Sequence, residues 1–315
     1  MKKFRQNQPL EQRQWQCQNV LPVNCNFCGH SNDRIIAKEN GLIITECQKC
    51  GLVYVNPRPT DDEIKKFYQQ YLHPATSSRW KEVTVSLFHT DIKRIERYQP
   101  EGRILDIGCG FGFFLSLMQK RGWEVYGCDL SEAGVKYATE YLKLTGIKYG
   151  PFQKHIYPPN YFDVISAWYV LHHAADPRQV LRNAHASLKK GGIIAIRVPN
   201  HNLFKWLWWL KKFDCHALRS LLRTIRKETA DPRVPYNVLD PPVHLYAFTP
   251  EILASFLEDT GFSIVRIYND GMVNRGNFFN RIIDGTITHA ADIIKQISKD
   301  KTDISISFSI YAKKV

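Results

Sequence analysis

The chain has 315 residues, 44% of them hydrophobic and 23% charged, with a formal net charge of +13. That is one core of ordinary size plus additions, and it excludes a disordered chain; the basic excess is scattered rather than blocked, so it marks no nucleic-acid or anionic-lipid surface by itself. No apolar run reaches the roughly eighteen residues that a membrane-spanning helix needs, and eight cysteines in this length make no dense disulfide framework.

Residues 1–22 are polar and rich in glutamine, a loose segment or short helix without the apolar stretch of a secretory signal. Residues 23–59 form a first module holding Cys25-Asn26-Phe27-Cys28-Gly29 and Cys47-Gln48-Lys49-Cys50-Gly51. Paired C-x-x-C units bring four thiolates to one tetrahedral point, and the glycine after each pair lets the chain turn tightly. The expectation is a structural Zn²⁺ on Cys25, Cys28, Cys47 and Cys50, with no open position to activate water. The alternative is four reduced cysteines packing as small hydrophobes. Between the pairs, Arg34 to Ala37 and Leu42 to Glu46 flank Asn40-Gly41 and read as a hairpin. Arg34 and Lys38 are balanced there by Asp33, Glu39 and Glu46, which leaves no face for phosphate. Cys17, Cys109, Cys128 and Cys215 lack partner spacing and read as packed thiols; the pattern points to metal in a reducing cytoplasm.

A strand from Gly51 runs into Pro57 and Pro59, and residues 60–100 form a helical linker and cover. Thr60 to Glu63 match a T-x-x-E capping box ahead of Ile64, Phe67 and Tyr68. A second amphipathic helix, Trp80 to Tyr98, is expected over the cofactor side of the sheet.

The stretch from Arg103 to Asp129 organises the rest. Ile104-Leu105-Asp106-Ile107 reads as a buried strand, Gly108-Cys109-Gly110-Phe111-Gly112 as a turn, and Phe113 to Met118 as a helix stopped by Gly122. A second strand, Glu124 to Cys128, ends on Asp129. A dinucleotide site spaces its glycines G-x-G-x-x-G around a pyrophosphate. Here the spacing is G-x-G-x-G, and Asp106 two residues ahead would repel a diphosphate but attract an ammonium. S-adenosylmethionine fits: it has no phosphate, a cationic amino acid tail, and ribose hydroxyls that Asp129 can accept from.

Ser131 then caps a helix to Leu144, and a weak strand follows at Ile147 to Tyr149. Tyr161 to Val170 gives the fourth strand, whose end carries Leu171-His172-His173. Asp176-Pro177 opens a helix that Lys189-Lys190-Gly191-Gly192 stops, and Ile193 to Val198 is the fifth strand, ending at Pro199-Asn200. Strand and helix alternate, so the fold class is α/β, doubly wound, with a parallel sheet and helices on both faces. Ligands in such folds sit outside the carboxyl ends of the strands, which gathers Asp106, Asp129, residues 168–173 and Asn200 on one rim.

Residues 201–240 interrupt this pattern with a tryptophan-rich, lysine-flanked segment at 203–213 and a basic stretch from Arg219 to Arg233. The composition suits a lid, a dimer contact, or a helix at a membrane surface. His244-Leu245-Tyr246 leads to a Thr249-Pro250 helix start, a helix end at Gly261 and a strand from Phe262 to Tyr268. A helix over 278–297 and a strand over 303–311 complete the reading.

These motifs resemble a class I S-adenosylmethionine-dependent methyltransferase. DIGCGFG resembles the family's first motif, YGCDLS its ribose-binding acid, and FDVISAWYVLHHAADP with LKKGGIIAIRVPN the later core motifs. With the C-x-x-C-G pairs and PPVHLYAFTPE…LEDTGF, the chain is similar to a bacterial subgroup that carries an N-terminal zinc module, over roughly residues 23–270. The resemblance implies a Rossmann-like domain over 101–315 with a mostly parallel seven-stranded sheet whose last strand is antiparallel. It implies a cofactor site at Asp106, Gly108, Cys109, Gly110, Gly112, Asp129, Leu130, Phe152, Trp168 and Tyr169. The implied reaction is methyl transfer to a hydroxyl or acidic carbon of a small acceptor: a sugar of a cell-envelope or lipid-linked glycan, a nucleotide-linked sugar, or alternatively a quinone or aromatic metabolite.

Many relatives read E-H where this chain has His172-His173, and a polar or acidic motif where it has Gly150-Pro151-Phe152-Gln153. The acceptor's proton therefore falls to His173, His172 or His244, whose intrinsic pKa suits a general base, with Tyr169 and Tyr246 positioning substrate. A zinc-ribbon nucleic-acid methyltransferase is the rival, but the fourth strand lacks an N-P-P-[YFW] element and a Pro-Cys pair. A third reading is a membrane-surface scaffold that binds the cofactor without catalysis. The location implied is the cytoplasm, or the inner face of the membrane through 203–213.

Overall fold

The computed structural model describes residues 17–70, 78–152, 157–203, 205, 239–270 and 305–315. The tryptophan-rich segment beyond Leu203 and Lys205, Cys215 and the helix expected over 278–297 lie outside the described residues.

The chain opens with β1 (Val20–Leu21), β2 (Asp33–Glu39), β3 (Leu42–Cys47), β4 (Val53–Val55) and β5 (Arg58–Pro59). β2 and β3 form the expected hairpin, with Asn40 and Gly41 both at positive φ as a tight antiparallel turn requires. β4 pairs with β3, and β1 with β5. Thr60 caps α1 (Asp61–Gln70) by accepting from the Glu63 N–H at 3.4 Å. Glu63, which a capping box would turn back to Thr60, instead accepts from the Asn19 amide at 3.2 Å and holds the preceding segment. α2 (Ser78–Glu96) follows.

From there strands and helices alternate: β6 (Arg103–Ile107), α3 (Phe113–Gln119), β7 (Glu124–Asp129), α4 (Glu132–Glu140), β8 (Ile147–Tyr149), β9 (Phe162–Trp168), α5 (Pro177–Ser187), β10 (Leu188–Pro199), β11 (Tyr246–Ala247), α6 (Pro250–Asp259), β12 (Phe262–Asp270) and β13 (Ser307–Lys314). Among the described residues the main sheet has seven strands in the order β12-β13-β10-β9-β6-β7-β8. β6 to β10 run parallel, and β13 is antiparallel to both its neighbours.

Side chains alternate along the strands and divide the core in two. Ile104, Val164 and Ala195 face α2, α3 and α4 through Ile92, Phe114, Met118 and Ala138. Leu105, Ile165 and Ile196 face α5 and α6 through Leu181, Leu253 and Phe256. The same second layer takes in Ile44, Leu52 and Tyr54, so the cysteine module packs on that side. Each fully buried residue of this size contributes about 1.5–3 kcal/mol.

Several boundaries differ from the sequence reading; the helix after Ser131, for one, ends at Glu140 rather than Leu144. β10 begins at Leu188, because Leu188 is already extended and Gly191 at φ +76 absorbs the register shift within the strand. β9 ends at Trp168, because Tyr169 takes φ +57 and turns the chain into a 3-10 turn, Leu171–His173. The last strand is Ser307–Lys314 rather than 303–311.

Candidate functional site

The loop after β6 is built by packing and by one acid. A Cβ at Gly108 would lie 2.4 Å from Val170 Cγ2, and one at Gly112 would lie 2.8 Å from Leu144 Cδ1 and 2.9 Å from Ala138 Cβ. Those two glycines are fixed by neighbours. Gly110, at φ +52, faces open space with no atom within 4 Å of a Cβ, which is where a ligand can approach the backbone. Asp129 Oδ2 accepts from the Gly110 N–H and Oδ1 from the Ser131 N–H, both at 2.7 Å. The acid that the sequence assigns to ribose hydroxyls therefore braces the loop. The Gly108 and Cys109 N–H groups donate to Cys128 O at 2.8 and 3.1 Å, and the Cys109 thiol is buried.

Asp106, near the end of β6, is 3% exposed, and its Oδ1 accepts from the Ser166 hydroxyl at 2.7 Å. Burial pushes this carboxyl well above the ordinary carboxylate range, against the pull of Ser166 and with a further push from Asp129. Beside the loop, Leu130 is 44% exposed, and Phe152 is half-buried against the core.

Val170 links this loop to the end of β9. There the sequence-assigned residues separate. Trp168 packs on Phe88 and Phe114, with the Arg197 guanidinium 5.3 Å from its ring, so its side chain belongs to the core. The Tyr169 hydroxyl donates to Ser307 Oγ at 3.1 Å. Its left-handed backbone is uncommon for a residue with a side chain and leads the chain into the turn Leu171–His173. Tyr246, on β11, donates to Ala175 O at 3.2 Å and stacks against Tyr54 at 6.2 Å, between the cysteine module and the main domain.

His172, His173 and His244 come together. Their ring centroids lie 4.1 Å apart for the first pair and 4.9 Å for the other two pairs. His173 Nδ1 hydrogen-bonds to Val243 O, and His244 Nδ1 to Leu239 O. A carbonyl only accepts, so both rings carry a proton on Nδ1. Burial, then His173 and His244, hold the His172 imidazole well below the usual histidine range, so it is neutral. Leu245 N donates to His172 O at 2.8 Å and fastens the two segments.

The four module cysteines also converge. Cys25 and Cys50 sulfurs are 3.5 Å apart and Cys28 and Cys47 sulfurs 3.4 Å apart, near the about 3.8 Å edge of a zinc–thiolate tetrahedron. Gly29 N donates to Cys25 O at 2.8 Å and Gly51 N to Cys47 O at 2.9 Å, both glycines at positive φ, so the two knuckles repeat one geometry. The hydrogen bond with Cys50 brings the Cys25 thiol down to about 5 and pushes Cys50 up. The donor set is compatible with zinc.

Several participants carried little sequence signal. Ser166 was visible only as a polar residue in an apolar strand, and Val170 only as a member of the 168–173 rim segment. Arg197, buried on β10, donates to Asp91 at 2.6 and 2.9 Å and to Asp270 at 3.0 Å behind this rim.

The family described as a methyltransferase domain matches residues 80–267, more than half of the chain. Two relatives described as ubiquinone biosynthesis O-methyltransferase, from Yersinia pestis (strain Pestoides F) and Yersinia pseudotuberculosis serotype O:3 (strain YPIII), are each 26% identical over 166 residues. The match covers 47% of this chain and 64% of each of those proteins, so the chain spans less than two thirds of their length. Among solved structures, an S-adenosylmethionine dependent methyltransferase from Mesorhizobium loti aligns with TM-score 0.45 and 20% identity, covering 71% of this chain and 96% of that one. A SAM dependent methyltransferase from Archaeoglobus fulgidus aligns with TM-score 0.44 and 21% identity, covering 72% and 94%. By the family match over most of its described core, the chain belongs to the methyltransferase-domain family of S-adenosylmethionine-dependent enzymes.

Proposed function

We propose that this chain transfers a methyl group from S-adenosylmethionine to a hydroxyl oxygen of a small acceptor, first of all a sugar of a cell-envelope or nucleotide-linked glycan. The observation that carries the reading is the cluster of His172, His173 and His244 beyond the carboxyl end of β9, where His172 follows two residues after Val170, the side chain that packs on Gly108 of the glycine loop. The printed names of the Yersinia relatives favour oxygen as the acceptor atom and supply the second reading, a quinone-type phenol.

The residues fit the cofactor by their own chemistry. Asp106 is a buried carboxyl beside the loop, where a cationic ammonium would restore its charge. Gly110 leaves the backbone open, and Asp129 stands at the end of the next strand for hydroxyl donors. When bound, S-adenosylmethionine supplies a methyl carbon already activated by its sulfonium, so the protein's task is to align the acceptor and exclude water. The acceptor oxygen must also lose its proton, and the three imidazoles are the groups at this rim suited to promote that loss. We further propose a structural zinc on Cys25, Cys28, Cys47 and Cys50. Because these four thiolates leave no open position, this metal stays outside the chemistry.

The test is release of S-adenosylhomocysteine from a panel of nucleotide sugars, lipid-linked glycans, quinone precursors and tRNA. Turnover with a hydroxyl acceptor is expected. Clear cofactor binding with no turnover on any hydroxyl, or turnover only on tRNA, overturns the reading.

A further inference from the structure

The histidine cluster has more than a base would need. One nitrogen from each of His172, His173 and His244 lies within 4.8 Å of those from the other two. Among the described residues, the only other group of potential metal ligands this close is the four-cysteine site. Three imidazoles on one zinc place their nitrogens about 3.3 Å apart, a spacing that small side-chain rotations reach from here. His173 and His244 each give Nδ1 to a backbone carbonyl, which orients the ring and makes Nε2 the nitrogen it would offer to a cation. Histidines that ligate metals are held in this way by their outer shell. His172 is 3% exposed, and its Nδ1 is buried without a hydrogen-bond partner. A buried polar nitrogen of that kind needs an explanation, and a cation supplies it. The ligands sit on two segments fastened by the Leu245–His172 backbone bond, so the set is organised before metal arrives.

We infer that His172, His173 and His244 form a three-imidazole site for one divalent transition-metal cation, zinc being the first to test, with an open position facing the acceptor. Imidazole nitrogen suits zinc and its neighbours rather than magnesium or calcium. The site stands on this geometry alone; its role rests on the methyl-transfer reading. An acceptor hydroxyl on the open position would be acidified by the cation and release its proton to solvent. The oxygen then attacks the methyl carbon, the carbon–sulfur bond breaks with its electron pair passing to sulfur, and the products are the methyl ether and S-adenosylhomocysteine.

Two measurements on the full chain decide the matter. Zinc per chain, counted by elemental analysis after equilibration and desalting, should be one equivalent lower in His173→Ala and in His244→Ala than in the wild type, with melting curves to show that each variant is folded. Cadmium NMR on the wild type needs no variant: it should give one resonance in the thiolate region and a second, upfield, from nitrogen ligands. Equal zinc in all three proteins, or a thiolate resonance alone, overturns the inference. A second metal without methyl transfer to any hydroxyl would leave the site standing and remove the proposed reaction instead.

Discussion

Asp106 carries a conflict between burial and charge that a cationic ligand resolves. Its folded pKa lies well above the ordinary value of about 3.9, with burial as the main cause. Below the ordinary value both folded and unfolded chains are protonated there, and no penalty exists. As pH rises through it, the unfolded chain ionises first, so stability falls until the buried carboxyl ionises as well. Asp106→Asn removes that penalty. In calorimetry without ligand, the variant should melt at or above the wild-type temperature at neutral pH, with the advantage vanishing in acid. Its affinity for S-adenosylmethionine should fall about ten- to a hundredfold, since a hydrogen bond to a charged group contributes about 1.5–3 kcal/mol. Wild-type affinity in Asp106→Asn would take this residue out of the cofactor site. The pairing of Asp106 with the glycines was legible because it is local in sequence. The partner Ser166 was not, being 60 residues away.

Between elements, a buried polar network joins α2, β10 and β12. Arg197 forks onto both oxygens of Asp91 and also reaches Asp270, which Arg94 holds at 2.8 Å. Burial pushes the Asp91 carboxyl up to about 6 even against Arg197, which shows how costly an unpaired charge would be in this place. Arg197→Met leaves two buried carboxylates without their guanidinium, and urea unfolding should show a loss of about 3–5 kcal/mol. A loss under about 1 kcal/mol would mean that Arg94 and rearrangement suffice. Short-range signals made the elements readable: Asn40-Gly41 turned the hairpin, and Thr249 with Pro250 started α6, as seen in the Ile252 N–H bond to Thr249 Oγ1 at 3.3 Å. Arg197 sits in an apolar run that gave no hint of partners, and Tyr169 adopts a backbone that its type does not announce. β11 is two residues long and gains its identity from β4 alone, Tyr246 opposite Tyr54. Such contacts depend on tertiary placement, which periodicity does not encode.

At the scale of the whole molecule, the cysteine module and the reaction rim form one mechanical line. The hairpin tip holds the segment before His244: Glu39 accepts from the N–H groups of Leu239 and Asp240 at 2.9 and 3.0 Å, and Asn40 donates to Asp240 at 3.0 Å. Leu239 O in turn fixes the His244 ring, and β11 adds to the module's sheet beside β4. A metal in the module contributes folding energy to that sheet, because a tetrathiolate site exists only when the chain is folded around it. Cys47→Ser removes a ligand that is itself buried on β3. The variant should lose the zinc proposed for the four cysteines and exchange amide hydrogens faster over 239–248. Methyl transfer should fall with it, since the His172–His244 geometry loosens. Affinity for S-adenosylmethionine should change little, because Asp106, Gly110 and Asp129 depend on β6 and β7, whose strand pairing lies within the main sheet. That split between lost turnover and kept affinity is the signature of the line, measured by hydrogen exchange beside calorimetry on one preparation. If amides over 239–248 exchange at the wild-type rate while zinc is gone, the module supports itself alone and the histidines take their positions from the main domain.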